Sequence, residues 1–351
     1  MKRNLLQRRA LTAALFVLLL SVVGSKNAFA QTQVATLQHG DDISVFYGAN
    51  AFEEAHDAAQ TGDIITLSSG TFVPTAITKA ITLRGAGCAI DTAAHTNPTI
   101  FGGDIYLDVA DTANFLTIEG ILFTNQVLYY TLYNPKFNRC NFTSFLYSSY
   151  SSGSEMNNAQ FVNCIIDDLS LVYANNTTVI NSVVWLPNGM YNSNTLVLYN
   201  SISGPANINW SGASSPLNGV SAFNSVIIRD NKTNGPYSYG SGSTFLNCIG
   251  IQLGDYAPFG DAYTSGCISY NSYEEVFEDF IGDFSFNETY FLKDEIITGF
   301  LGDDGTQVGI YGGLLPYSNR PSYMLLKRCN VANKSTIDGK LSVDIEVVTE
   351  E

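Results

Sequence analysis

Positive charge is scarce in this chain, with 17 Lys plus Arg against 32 Asp plus Glu in 351 residues and a formal net charge of −15. Phosphate recognition needs clustered Lys and Arg, so sustained nucleic-acid binding is excluded. Charged residues of both signs make up only 14% of the chain against 45% apolar, which is too apolar for disorder. Histidine is limited to His39, His56 and His95, and no Cys-x-x-Cys occurs. The usual zinc sets are therefore missing. Gly at 30 and Pro at 10 are near ordinary usage, which excludes a collagen-like or linker-type sequence.

The one long apolar run, Leu11 to Val23, is thirteen residues, too short to span a bilayer comfortably. Lys2, Arg3, Arg8 and Arg9 precede it and Ala28-Phe29-Ala30 follows it, the pattern of a secretory signal. Residues 1–30 are thus expected to be a signal peptide. Removing its five bases and no acids leaves 12 basic and 32 acidic residues, net −20. The expected product is exported, in the periplasm, on the cell surface or released, with no later membrane segment.

What the chain does have is a repeat. Phe161-Val162-Asn163-Cys164-Ile165, Val179-Ile180-Asn181-Ser182-Val183, Leu198-Tyr199-Asn200-Ser201-Ile202, Ala222-Phe223-Asn224-Ser225-Val226 and Phe245-Leu246-Asn247-Cys248-Ile249 are one pattern written five times. The Cys or Ser column extends back through Cys140, Gly120, Gly102 and Gly85 and forward to Cys267, at intervals of 17 to 24 residues. Leucine-rich and helical repeats lack support, since neither a Leu-x-x-Leu-x-Leu consensus nor 3.6-residue spacing appears. Stacked strands with variable loops fit: one strand cannot bury its face alone, but rungs about 4.8 Å apart bury a continuous core. Ten such rungs would make a rod about 48 Å long.

These residues resemble right-handed parallel β-helix proteins of the pectin-lyase-like superfamily over about residues 50–313. The opening carries most of the resemblance: Asn50-Ala51-Phe52-Glu53-Glu54-Ala55 reads as a helix with Asn50 as N-cap and Glu53 at the capping-box position. Gly62-Asp63-Ile64-Ile65-Thr66-Leu67 and Ile81-Thr82-Leu83-Arg84-Gly85-Ala86-Gly87 look like that family's first two rungs. The resemblance implies an all-β solenoid with a short N-terminal capping helix. The expected order is a leader at 31–49, the coil at 50–313, closing on Asp303 to Gly313, and a strand-rich tail at 314–351 that could dock a surface protein partner.

Columns in the repeat supply candidate sites. Arg84, Glu119, Arg139, Asn163, Asn181, Asn200, Asn224 and Asn247 form one, expected to be a ladder of stacked amides with a Glu119–Arg139 ion pair. Cys140, Cys164, Cys248 and Cys267 share a column with Ser and Gly, so they are expected to pack as small residues, not as disulfides; Cys88 and Cys329 stay unassigned. Tyr130, Tyr150, Tyr173, Tyr191 and Trp210 recur with the same spacing. Leu128/Tyr130, Leu171/Tyr173 and Ile208/Trp210 share strand parity, which points these rings inward. Tyr129, Tyr133, Tyr147 and Trp185 are then the candidates to stack on sugar rings.

Catalytic equipment is thin. The resemblance implies an acidic calcium cluster with an Arg or Lys base, or aspartates with Gly-His-Gly and Arg-x-Lys, or paired Asp with Arg. Residues 85–270 hold 11 acids and 4 bases, and neither the Gly-His-Gly nor the Arg-x-Lys segment occurs. Asp167-Asp168, expected one rung above Arg139, is the one possible acid and cation set. Acids from Glu274 to Asp304 are expected to be a solvated flank, with calcium as the alternative; otherwise no cofactor or metal is called for. The favoured reading is a non-enzymatic β-helix that binds a polysaccharide or other glycan or acts in cell-surface adhesion. A divergent lyase or glycoside hydrolase acting on an acidic glycan, and a structural or assembly subunit, are the alternatives.

Overall fold

The computed structural model describes residues 33–348 apart from 91–95, 149–152, 189–194, 206–218, 231–238, 241, 255–256, 283, 321–324 and 332–342. The expected signal peptide, Tyr150, Tyr191 and Trp210 lie outside these residues.

The described residues open with β1 (Val34–His39) and β2 (Asp42–Tyr47), an antiparallel hairpin whose β1 pairs antiparallel with β3 (Ile64–Leu67). The stretch expected as a leader is therefore sheet. Between them, α1 (Ala51–Ala58) turns Ala51, Phe52 and Ala55 inward, and the Phe52 ring lies 4.9 Å from that of Phe101. The helix covers the end of the coil as expected, but the capping box does not form. Asn50 sits at φ −92° and ψ 4° and makes no side-chain cap bond, because an N-cap needs an extended backbone to reach the first amides.

From β3 onward the chain is a parallel β-solenoid. One sheet has 12 strands ending at Tyr263–Ser265 and the other has 14, including Ile268–Tyr270. Inside, every second residue is apolar, and aromatic rings stack from rung to rung: Phe123 on Phe142 at 4.8 Å, Phe137 on Phe161 at 4.9 Å.

The turn between the sheets explains the Asn column. Arg139, Asn163, Asn181, Asn200, Asn224 and Asn247 all have φ between 44° and 54°. Asn is the non-glycine residue that tolerates this left-handed backbone best. Strand register sets the column one residue away from the expected alignment: Glu119 pairs with Asn138, so Gly120, at φ 68°, stands with Arg139 and the asparagines. Cys140 falls instead beside Ile121, and Gly102 is outside the column, next to the paired Phe101 and Phe123. Glycine was misread as a small side chain; its role here is the positive φ.

The internal ladder runs through the Ser and Cys side chains, not the asparagines. Each hydroxyl donates to the carbonyl two residues back, as in Ser182 to Ile180 at 2.7 Å, Ser201 to Tyr199 at 2.8 Å and Ser225 to Phe223 at 2.8 Å. Each also accepts the amide of the rung before: Cys164 N–H to Ser182 at 2.9 Å, Ser182 N–H to Ser201 at 3.3 Å, Ser201 N–H to Ser225 at 3.1 Å. These amides would otherwise be buried without a partner, at a cost of about 1–3 kcal/mol each. An amide ladder does exist at the second corner of the rung, where Asn176 donates to Asn158 at 3.2 Å and Asn158 to Asn134 at 2.9 Å.

The strands of the coil end at Tyr270, short of the expected 313. Residues 273–317 instead fold back as an arm, with a 3-10 turn at Tyr273–Glu275 and α2 (Asp294–Gly299). Phe277, Phe280, Tyr290, Leu292, Ile296, Val308 and Ile310 from the arm bury the outward residues Ile165, Val183, Ile202, Val226 and Ile249. Their chain neighbours Ile166, Val184 and Ile227 face the inner core, so these strands are covered on both sides.

Asparagines of the turn column hold the arm. Asn181 donates to the carbonyls of Ile310 at 2.8 Å and Gly312 at 2.7 Å, and Asn224 donates to the Asp303 carboxylate at 2.7 Å while accepting the Asp303 amide at 3.1 Å. A side chain at Gly313, where φ is 72°, would collide with the Asn200 amide. The segment read as a solvated acidic flank is thus a packed element whose apolar side is inward. Beyond it, Leu325–Val331 and Val343–Val348 form a separate antiparallel pair. Among the described residues no helix is long and apolar enough to cross a membrane.

Candidate functional site

The second apolar cluster takes no residue from the strands before Ile165. On those earlier rungs the outward positions of the 14-stranded sheet carry tyrosines. In Ile105–Val109 the exposed residues alternate with buried ones and place Tyr106 outward, in register with Leu128. Leu128 is in turn in register with Tyr147. Tyr130 shares the outward parity of Leu128 and lies beside Tyr106, ring centroids 6.2 Å apart and planes 30° from parallel; the register then shifts between Tyr129 and Leu132, which turns Leu132 inward. Tyr106 is 40% exposed, Tyr130 37% and Tyr173 42%.

Hydrogen bonds set the remaining rings. The Tyr147 hydroxyl donates to the Gln126 side chain at 2.8 Å, and Asp104 accepts the Gln126 amide at 3.2 Å. Burial, then the nearby Asp104 and Tyr106, push the Tyr147 phenol above its ordinary range. Tyr133 donates to the Glu155 carboxylate, and this bond likewise raises the phenol. Both phenols are neutral donors at physiological pH. The carboxylates of Asp104 and Glu155 are set beside these rings.

Of the four rings expected to meet sugar, Tyr133 and Tyr147 stand on this face. Tyr129 does not: it is fully buried and its hydroxyl donates inward to the Val172 carbonyl at 2.6 Å. Trp185 is covered by the arm, stacked on Phe284 at 5.4 Å and edge-on to Phe280 at 5.8 Å. The parity argument also placed Tyr130 and Tyr173 inward, whereas both are outward. The inward frame of that strand is Val127 and Tyr129, one residue off the assumed Leu128 and Tyr130. Tyr106 was missed, although the alternation in Ile105-Tyr106-Leu107-Asp108-Val109 carries its direction.

The acid and cation set is not brought together by the register. Asn163, not Asp168, aligns with Arg139, and Asp168 pairs with Phe145 and Leu186. That places it five residues further along the chain, past the turn between the sheets and on the other sheet from the strand that leads to Asn163. Arg139 instead meets Glu119 at 3.5 Å, the expected ion pair. Asp167 is half-buried beside Tyr290 of the arm, and loss of water pushes its carboxyl up.

The acids of 274–304 serve local structure: Glu275 accepts the Asn271 amide at 2.8 Å, Asp303 holds Asn224, and Asp304 accepts from Thr306 at 2.7 Å. Among the described residues no three His, Cys, Asp or Glu side chains gather as a metal site. A separate cleft of about 470 Å³ opens where Ala89 and Ile90 meet the arm, lined by Glu288, Tyr311, Tyr317 and Arg320 among others.

No protein-family description, no curated protein and no solved structure matches the chain.

Proposed function

We propose that the chain is an exported bacterial protein of the pectin-lyase-like kind, and that it binds carbohydrate on its tyrosine face without turning it over. The observation that carries this reading is the outward set of Tyr106, Tyr130, Tyr133 and Tyr147 on the rungs that precede the strands covered by the arm. A tyrosine ring offers a flat apolar surface to the C–H face of a sugar, and its hydroxyl offers a hydrogen bond. Tyr106 and Tyr147 flank Leu128 in one register column, two rungs of about 4.8 Å apart. The carboxylates of Asp104 and Glu155 lie beside these rings, which favours neutral glycans over uronates. The separation of Arg139 from Asp168 weighs against the lyase or hydrolase reading.

The test is incubation with a panel of neutral and acidic polysaccharides, with and without calcium, followed by assay of reducing ends and unsaturated uronate. Binding without either product is expected. Release of either product, abolished in Asp168→Ala, would overturn the non-enzymatic reading.

A further inference from the structure

The cleft where Ala89 and Ile90 meet the arm differs in chemistry from the tyrosine face. Its volume of about 470 Å³ is that of a small-molecule site. Among the described residues its lining includes the rings of Phe286, Tyr311 and Tyr317, the carboxylate of Glu288 and the guanidinium of Arg320. Tyr311 and Tyr317 meet edge to face, centroids 6.1 Å apart and planes at 82°, so the two rings form a right-angled corner. Neighbours fix that corner. Phe291 stacks on Tyr311 at 4.8 Å, the Tyr311 hydroxyl donates to the Thr289 carbonyl at 2.6 Å, and the Tyr317 amide donates to the Ile310 carbonyl at 2.7 Å. Glu288 is held through Oε1, which accepts the Thr289 amide at 3.0 Å. Burial pushes both phenols up, Tyr311 to about 12 with the nearby Glu288 adding to the shift, so both rings are neutral at physiological pH.

Neutral aromatic faces beside a carboxylate attract a cation. A quaternary ammonium suits such rings well, because it asks for contact area and for no hydrogen-bond acceptor. A guanidinium in the same lining repels a bare cation, yet its fork of N–H donors matches a phosphate or carboxylate. A ligand that answers both walls carries the two charges in one molecule. We propose that the cleft binds a small zwitterion of the phosphocholine type, its trimethylammonium in the Tyr311 and Tyr317 corner beside Glu288 and its phosphate on Arg320. The site stands apart from the carbohydrate reading, since it shares no residue with the tyrosine face.

The experiment is isothermal titration of the folded full chain with phosphocholine, choline, inorganic phosphate and neohexyl phosphate, in which carbon replaces the charged nitrogen. Saturable binding of phosphocholine at one site is expected, about tenfold or more tighter than that of the other three. Glu288→Gln and Arg320→Gln should each weaken it about tenfold, the size of one charge-assisted contact. Neither side chain is buried, so both variants should melt as wild type does. Tyr106→Ala/Tyr130→Ala should bind phosphocholine unchanged. Cosedimentation with phosphatidylcholine vesicles would assign the head group to a lipid, and binding of phosphocholine without cosedimentation would assign it to a free zwitterion. No saturable phosphocholine binding, equal binding of neohexyl phosphate, full affinity in either charge variant, or loss of binding in Tyr106→Ala/Tyr130→Ala would overturn the proposal.

Discussion

At the turn between the two sheets a single left-handed residue per rung sets which side chains the column accepts, and the same residue reaches outward to the arm. Asn181 separates the two roles. Asn181→Gly keeps the turn and loses the bonds to Ile310 and Gly312, leaving buried carbonyls unpaired at a cost of about 1–3 kcal/mol. Asn181→Ala adds the left-handed strain of about 1–2 kcal/mol. Urea unfolding should rank wild type above Gly and Gly above Ala; equal stability of the two variants would remove the backbone argument.

Asp167 gives a pH signature at the same scale. Its folded carboxyl is raised by burial, so above that raised value it opposes folding, and below the ordinary carboxyl range the effect vanishes. Asp167→Asn should therefore stabilise at neutral pH, with the gain disappearing on acidification. At this scale the sequence displayed the Asn and Cys/Ser columns plainly. It concealed their chemistry, since a turn residue defined by φ and one defined by small size look alike when both are glycine.

The elements divide into those that repeat and one that does not. Coil strands are legible because their stacking enforces a spacing near twenty residues and an alternation of side chains. The arm has no period, and its acids read as a solvated surface while its Phe, Tyr and Ile residues are scattered. Its trace is in the strands it covers: Ile165-Ile166, Val183-Val184 and Val226-Ile227 are adjacent apolar pairs, and adjacent apolar residues in a strand mean two buried faces. The bulge at Tyr129 to Leu132 was equally hidden, and it brought Leu132 into the inner core.

Phe280 tests the arm, because it is buried against Trp185, Tyr273, Phe277 and Tyr290. Phe280→Ala should cost about 3–5 kcal/mol. On a Trp210→Phe background it should shift Trp185 emission to the red; an unshifted spectrum would mean that the arm does not cover that ring.

Taken as a whole molecule, the chain uses Glu119, Arg139, Asp303 and Asp304 in structural bonds and leaves Tyr106 and Tyr130 exposed on the early rungs. The solenoid was legible from the repeat. Which face is free was not, because that depends on where the arm lies. Binding by ring stacking on neutral phenols predicts retention that changes little between low and high salt, unlike contacts between charges, which salt screens.

The central claim is that the tyrosine face is the binding surface. It is tested most directly by native electrophoresis of wild type and of Tyr106→Ala/Tyr130→Ala through gels cast with the glycan that wild type binds. Each ring is expected to contribute about 1 kcal/mol, so the double variant should lose most of its retardation. Both positions are exposed, and its melting temperature should stay close to that of wild type. Retardation undiminished in a folded double variant would contradict the assignment of this face.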